Sequence, residues 1–296
     1  MSTDEAEPDA ESTEPPATPP PSRAGRDLKA AVAVGVGIGI LVIATLFLYR
    51  PAFAVVVGLA VVLAIGELQA AVRTGGVEVP RWPLLIGGAA MLVASWFWGL
   101  QGLVIALLAT FLAVIFGRMR GPLHGYLAST ATGLFITIYV PFLAGFAVLL
   151  TVPDNGAKLV LAWAIAVVCS DTGGYAAGVL FGKHPMAPRI SPKKSWEGFA
   201  GSVVLAGIAG AVVFEFLLDF PWWLGVPYGA IVAVFAVTGD LLESITKRDV
   251  GVKDMGSLLP GHGGAMDRMD SLLLTAPVAY VLLSATPAII DAVGAA

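Results

Sequence analysis

The sequence predicts an all-α polytopic membrane protein of about nine transmembrane helices, and three observations predict it. Of its 296 residues 57% are hydrophobic and 13% charged, with mean hydropathy +0.85, whereas soluble domains carry about 25% charged residues. The apolar residues form continuous runs of the roughly 17–25 residues that cross a bilayer as a helix, without the period-2 alternation of a membrane β-barrel. The basic residues divide very unevenly among the loops between those runs.

Residues 1–28 come first, as an acidic, proline-rich tail. Positions 1–22 hold six acids (Asp4, Glu5, Glu7, Asp9, Glu11 and Glu14), six prolines and no base. So little apolar surface cannot offset ordering entropy, so a disordered cytoplasmic tail is expected. It lacks the early basic and apolar regions of a signal peptide. The tail also explains the formal net charge of −4, because the remaining chain is +2.

Helices are expected at about 30–49, 52–72, 83–99, 101–117, 126–150, 158–181, 197–218, 222–243 and 271–292. The third and fourth runs are short and nearly continuous. Residues 29–150 thus form an N-terminal helical region, and 151–296 a C-terminal region that carries most of the polar chemistry. "GVGIG" at Gly35–Gly39 lies inside the first helix with no preceding strand, so it serves helix packing and not dinucleotide binding. Cys169 is the single cysteine, which excludes an intrachain disulfide and suits a small buried hydrophobe.

With the N-terminus in the cytoplasm, 15 basic residues fall on the inside, and only Arg50 and Lys158 fall outside. That bias supports both the helix count and the orientation. The 6–7 and 8–9 loops are then cytoplasmic. "KRDVGVKDMGSLLPGHGGAMDRMD", residues 247–270, holds 8 of the chain's 38 charged residues, a density that marks it as the chemical centre of the sequence.

Four acids lie in or against apolar sequence there: Asp171, Asp240, Asp267 and Asp270. Ionisable groups at membrane depth usually mark a functional site. Asp267 and Asp270 are three apart and share a helical face, as do Asp240, Glu243, Ser244 and Lys247. Carboxylates converging from two helix ends suit hard cations such as Mg²⁺. "GSLLPGHGG" offers Gly256, Gly261, Gly263 and Gly264 for turning backbone N–H groups toward an anion, with His262 between them. Ser191 or Ser195 starts the seventh helix, beside Lys193 and Lys194. The two loops carry eight Lys and Arg side chains. A nucleoside triphosphate and a phosphomonoester together bring roughly six negative charges, so the loops suit two phosphate ligands meeting at the membrane surface.

These segments resemble one family, the phosphatidate cytidylyltransferases or CDP-diacylglycerol synthases. Its signature runs S-x-x-K-R, four residues, K-D, then L-P-G-H-G-G-x-x-D-R-x-D. Here it reads Ser244, Lys247, Arg248, Lys253, Asp254, "LPGHGG" at 259–264, Asp267, Arg268 and Asp270, with every spacing kept. A second family segment, D-T-G-A-Y ending in S-P-K-K-T-W-E-G, is matched at 171–198, with Gly174 for Ala and Ser195 for Thr. The resemblance covers about 160–275. It implies the reaction of CTP with phosphatidate to give CDP-diacylglycerol and pyrophosphate in phospholipid biosynthesis. It implies Mg²⁺ as two ions, with K⁺ as a candidate supplement, held by Asp171, Asp240, Asp267 and Asp270. Asp240, Asp267, Asp270, Lys247 and Arg248 are then expected in catalysis. Lys193, Lys194, Ser195, Glu197, Ser244, Lys253, Asp254, His262, Gly263, Gly264 and Arg268 are expected to bind substrate. The implied setting is the cell inner (plasma) membrane, as a homodimer, with no nucleic acid partner. An ion-coupled transporter using Asp171 and Asp240 is the main rival, and the absence of matching motifs in the two halves argues against it. The D-G-x-x-A-R framework of CDP-alcohol phosphotransferases is absent.

Overall fold

A computed structural model describes residues 28–119, 121, 123–256 and 263–294. The acidic tail expected at 1–28 therefore lies almost wholly outside the described residues, as do Gly261 and His262. The chain is helical almost throughout: α1 (Leu28–Leu48), α2 (Arg50–Thr74), α3 (Arg81–Met119), α4 (Tyr126–Thr137), α5 (Leu143–Thr151), α6 (Gly156–Phe181), α7 (Trp196–Phe216), α8 (Trp222–Asp249) and α9 (Met266–Gly294). Pro141 cannot donate the usual backbone hydrogen bond, and around it α4 joins α5 through a π-helical turn, Ile138–Phe142. Counting α4 to α5 as one span, seven helices among the described residues are long and apolar enough to cross a membrane. Large apolar side chains cover the outer surface, as in Ile40, Trp98, Leu108 and Val204. The protein is membrane-integral.

The two short runs predicted at 83–99 and 101–117 are both within α3, which is not straight. Gly99 has φ 63° and ψ −151°, a conformation open mainly to glycine. The chain turns back there, so that Gly87 meets the side chain of Thr110. Twenty-three residues of straight helix would hold those positions about 34 Å apart. α3 is a hairpin of two antiparallel helices.

The span from α4 to α5 is the centre of the bundle, 78% buried over its most apolar window, against 22–39% for the other six. Around it the helix ends sort into two groups. At one end Arg50 donates to the carbonyls of Thr151 (3.4 Å) and Pro153, and Lys158 pairs with Asp219 at 3.6 Å. The two bases expected outside are therefore together. At the other end Arg118 donates to Ser129 at 2.9 Å, Ser129 donates to the Glu78 carbonyl, and Lys194 reaches Asp240.

Small residues bring α6, α7, α8 and α9 close together. Gly210 and Gly225 sit backbone against backbone between α7 and α8, and Gly173 does the same against Gly201 between α6 and α7. Ser202 donates to the Ser170 carbonyl at 2.7 Å, fixing α7 one residue from Asp171. Trp163 donates to Thr275 at 2.9 Å, tying α6 to α9 in the apolar interior. A Cβ at Gly239 would stand 2.5 Å from the Asp270 carbonyl oxygen. This glycine lets α8 touch α9 beside Asp240 and Asp270.

One feature differs from an all-helical chain. Between α6 and α7 the antiparallel strands β1 (Pro185–Ala187) and β2 (Ser191–Ser195) form a short hairpin. Its strands are too short and proline-rich to show a period-2 pattern in sequence.

Candidate active site

Four helices and the β hairpin enclose a cavity of about 420 Å³ at the end of the bundle opposite Arg50. Asp171 enters from α6, Lys193, Lys194 and Ser195 from β2, Asp240 from α8, and Asp267, Arg268 and Asp270 from α9. The apolar floor includes Phe199 and Val237. Successive strand residues point to opposite faces. Lys194 turns inward, where its Nζ lies 2.5 Å from Asp240 Oδ2 and donates to the Val237 carbonyl at 3.3 Å. Lys193 stays exposed at the rim. Ser195 caps α7 by accepting the Gly198 N–H at 3.1 Å.

The structure divides the acids of α9. Asp270 lies with Asp240 and Glu243, one carboxylate oxygen from each falling within 4.8 Å of the other two. Asp270 Oδ1 accepts the Ser271 N–H at 2.6 Å. Asp267 turns toward the loop that precedes α9. Its Oδ2 accepts the N–H groups of Gly264 (2.7 Å) and Met255 (3.2 Å), and its Oδ1 meets Lys247 Nζ. Lys247 also holds Glu243 Oε2 at 2.7 Å. Asp171 shares the cavity wall but stands outside the tight trio.

The donor set matches a hard divalent cation. Three carboxylates converge, and such ions favour oxygen ligands. Glu243 is 1% exposed, and its Oε1 accepts no hydrogen bond from the described residues. A buried carboxylate oxygen without a donor is costly, and a cation at the trio would satisfy it. Helical spacing places Glu243 on the face of Asp240, and its convergence with Asp270 appears only in the packed structure.

A second cavity, of about 270 Å³, lies alongside. Its lining is basic: Lys193, Lys247, Arg248 and Lys253, with Ser191, Ser244 and Asp254. Lys193 belongs to the walls of both cavities. The structure thus brings the two signature segments together, and most of the expected substrate-binding residues line one cavity or the other.

Glu197, Gly263 and Gly264 are placed differently. Glu197 accepts the N–H groups of Lys183 (3.1 Å) and His184 (3.2 Å) and pairs with the His184 ring at 2.5 Å, anchoring the root of the β hairpin. Gly263, at φ 78°, lies against Asp267. The Gly264 N–H serves the protein's own carboxylate. Glu67 of α2, unnoticed in the sequence, accepts the Ala265 and Met266 N–H groups beside them.

An apolar bundle with acids and bases gathered at one end suits an integral-membrane enzyme that acts on phosphate groups. The particular family follows from comparison. The model of the cytidylyltransferase family matches residues 29–286. A phosphatidate cytidylyltransferase of Mycobacterium bovis is 40% identical over 279 residues, covering 90% of this chain and 91% of the relative. That of Mycobacterium leprae is 40% identical over 281 residues, 90% of each chain. The Helicobacter pylori protein of the same name is 36% identical over 171 residues, 58% of this chain and 64% of the relative. The chain belongs to the cytidylyltransferase family. The match extends across helices whose resemblance in the sequence alone was only apolar character.

Proposed function

We propose that this protein is a phosphatidate cytidylyltransferase: it transfers CMP from CTP to phosphatidate, giving CDP-diacylglycerol and pyrophosphate. The observation that carries the reading is the shared wall at Lys193, where the acid-lined cavity meets the basic one. A phosphate oxygen of the lipid attacks the α-phosphorus of CTP, a new P–O–P link forms, and the α–β bond breaks to release pyrophosphate. The lipid phosphate is already ionised near neutral pH, so the step needs no strong general base. It needs two polyanions held together and in line.

The basic cavity supplies that for the triphosphate, through Lys247, Arg248, Lys253 and Ser244. The acid-lined cavity receives the lipid phosphate, with Lys194 and Arg268 as its cations and Phe199 and Val237 toward the acyl chains. Asp240, Glu243 and Asp270 would hold Mg²⁺, and Asp171 is the candidate ligand for a second ion. Mg²⁺ bound there supplies charge neutralisation between the reacting phosphates. Lys194, beside Asp240 and in the wall of the same cavity, would offer its ammonium to a substrate phosphate.

Purified protein in detergent, given phosphatidate, Mg²⁺ and CTP labelled in its α-phosphate, should move label into the organic phase only when the lipid is present, and EDTA should abolish the transfer. Solute movement across liposomes without any lipid product would replace this reading with a transporter.

The nine crossings follow if α1 and both arms of the α3 hairpin each span the bilayer; with the basic-rich side inside, the active-site end is then cytoplasmic and the C-terminus outside. In a background lacking Cys169, Asp154→Cys should react with an impermeant maleimide in intact cells, and Thr74→Cys only after permeabilisation. The reverse pattern would invert the topology.

A further inference from the structure

Glu67 is a carboxylate inside the bundle, 7% exposed, in the last third of the apolar helix α2 and far in sequence from the active-site segments. Burying such a group is costly unless its oxygens are hydrogen-bonded. Both are. Oε1 accepts the Ala265 N–H at 3.0 Å, and Oε2 accepts the Met266 N–H at 2.9 Å. These N–H groups belong to the start of α9, where a helix has donors without internal partners. A capping side chain normally comes from the residue just before the helix; here it comes from 198 and 199 positions away. Negative charge at that end also complements the helix dipole, and hydrogen bonds to an ionised acceptor are stronger than neutral ones.

The loop is shaped to this carboxylate. A Cβ at Gly256 would stand 2.5 Å from Glu67 Cδ, and one at Gly264 would stand 2.6 Å from it. Both glycines leave the room that the acid occupies. One residue beyond Met266 comes Asp267, whose Oδ2 is held by the Gly264 and Met255 N–H groups. One helical turn beyond Met266 comes Asp270, of the acid trio.

We propose that Glu67 is a positioning residue for the acids of α9: it pins the first turn of the helix, and so sets where Asp270 stands relative to Asp240 and Glu243. This rests on the metal-dependent reading of the trio and adds a residue from the N-terminal half to the site. A metal site tolerates little displacement of its ligands, and loss of an outer partner typically weakens metal affinity by roughly 10- to 100-fold.

The test uses the full-length protein in detergent. Glu67→Gln keeps the size but offers one acceptor where two are needed. Mn²⁺ affinity, read by electron paramagnetic resonance without substrate, should fall by roughly 10- to 100-fold. The Mg²⁺ concentration for half-maximal transfer should rise by a similar factor. Leu283→Ala, a buried truncation farther along α9, serves as the destabilised control and should leave Mn²⁺ affinity unchanged. Unaltered Mn²⁺ binding in Glu67→Gln would overturn the proposal, as would an equal loss in the control. If Glu67→Gln does not accumulate, Gly256→Ala, which keeps the carboxylate but crowds it off its two donors, is judged by the same measurement. Should the wild type make no CDP-diacylglycerol, the functional reading fails, while the Mn²⁺ comparison still decides the role of Glu67.

Discussion

Asp270→Asn should lower turnover at least about a hundredfold, the scale on which removing one preorganised electrostatic group from a reacting centre is felt. The substitution keeps size, and the amide oxygen can still accept the Ser271 N–H that Asp270 Oδ1 accepts at 2.6 Å. What it removes is one of three charges within 4.8 Å of each other. The remaining pair must then hold a divalent ion against water, so the Mg²⁺ dependence should shift to higher concentration together with the fall in rate. Asp240→Asn should behave alike, with the further effect that Lys194 loses its 2.5 Å partner. Asp249→Asn is the control: Asp249 is exposed at the end of α8, and a solvated surface charge contributes little. Wild-type turnover and Mg²⁺ requirement in Asp270→Asn would sink the trio as the metal site, even with the cytidylyltransferase activity intact.

The acids also show what a sequence can and cannot reveal. Helical spacing put Asp267 and Asp270 on one face, and both do line the cavity. Spacing cannot show that the loop before α9 would claim Asp267, while α8, brought close at Gly239, would claim Asp270. The apolar runs were legible because bilayer thickness fixes helix length. The turn at Gly99 was legible only as a shortness of two runs, since the φ that reverses the chain leaves no pattern in hydropathy. Glu67 was only half legible. An acid inside an apolar run is itself a signal, the one that picked out Asp171, but its partners follow only once α2 and α9 are packed. The same holds for the β hairpin, whose role is to carry Lys194 over the cavity, a matter of tertiary placement and not of strand propensity.

Lys247→Met should combine the largest loss of stability with loss of activity. The Lys247 ammonium lies between Glu243 Oε2, at 2.7 Å, and Asp267 Oδ1. All three side chains are largely buried, at 15% exposed for the lysine, 2% for the glutamate and 8% for the aspartate. Methionine fills much of the same volume, so packing is mostly kept and charge is the change. Two buried carboxylates then face each other with the cation between them gone. Removing one partner of a buried pair costs about 3–5 kcal/mol, mostly from the stranded charge. The thermal midpoint in detergent should drop clearly without metal and recover in part with Mg²⁺, because an ion at the trio supplies some of the missing charge to Glu243. Turnover should stay low even then, since Lys247 also lines the basic cavity proposed for the triphosphate. Lys253→Met separates the two roles. Lys253 lines the same cavity but is exposed and forms no ion pair among the described residues, so its loss should raise the KM for CTP and leave the midpoint nearly unchanged. Equal midpoints and equal rates for Lys247→Met and wild type would show that the ammonium neither stabilises the acids nor serves the phosphates.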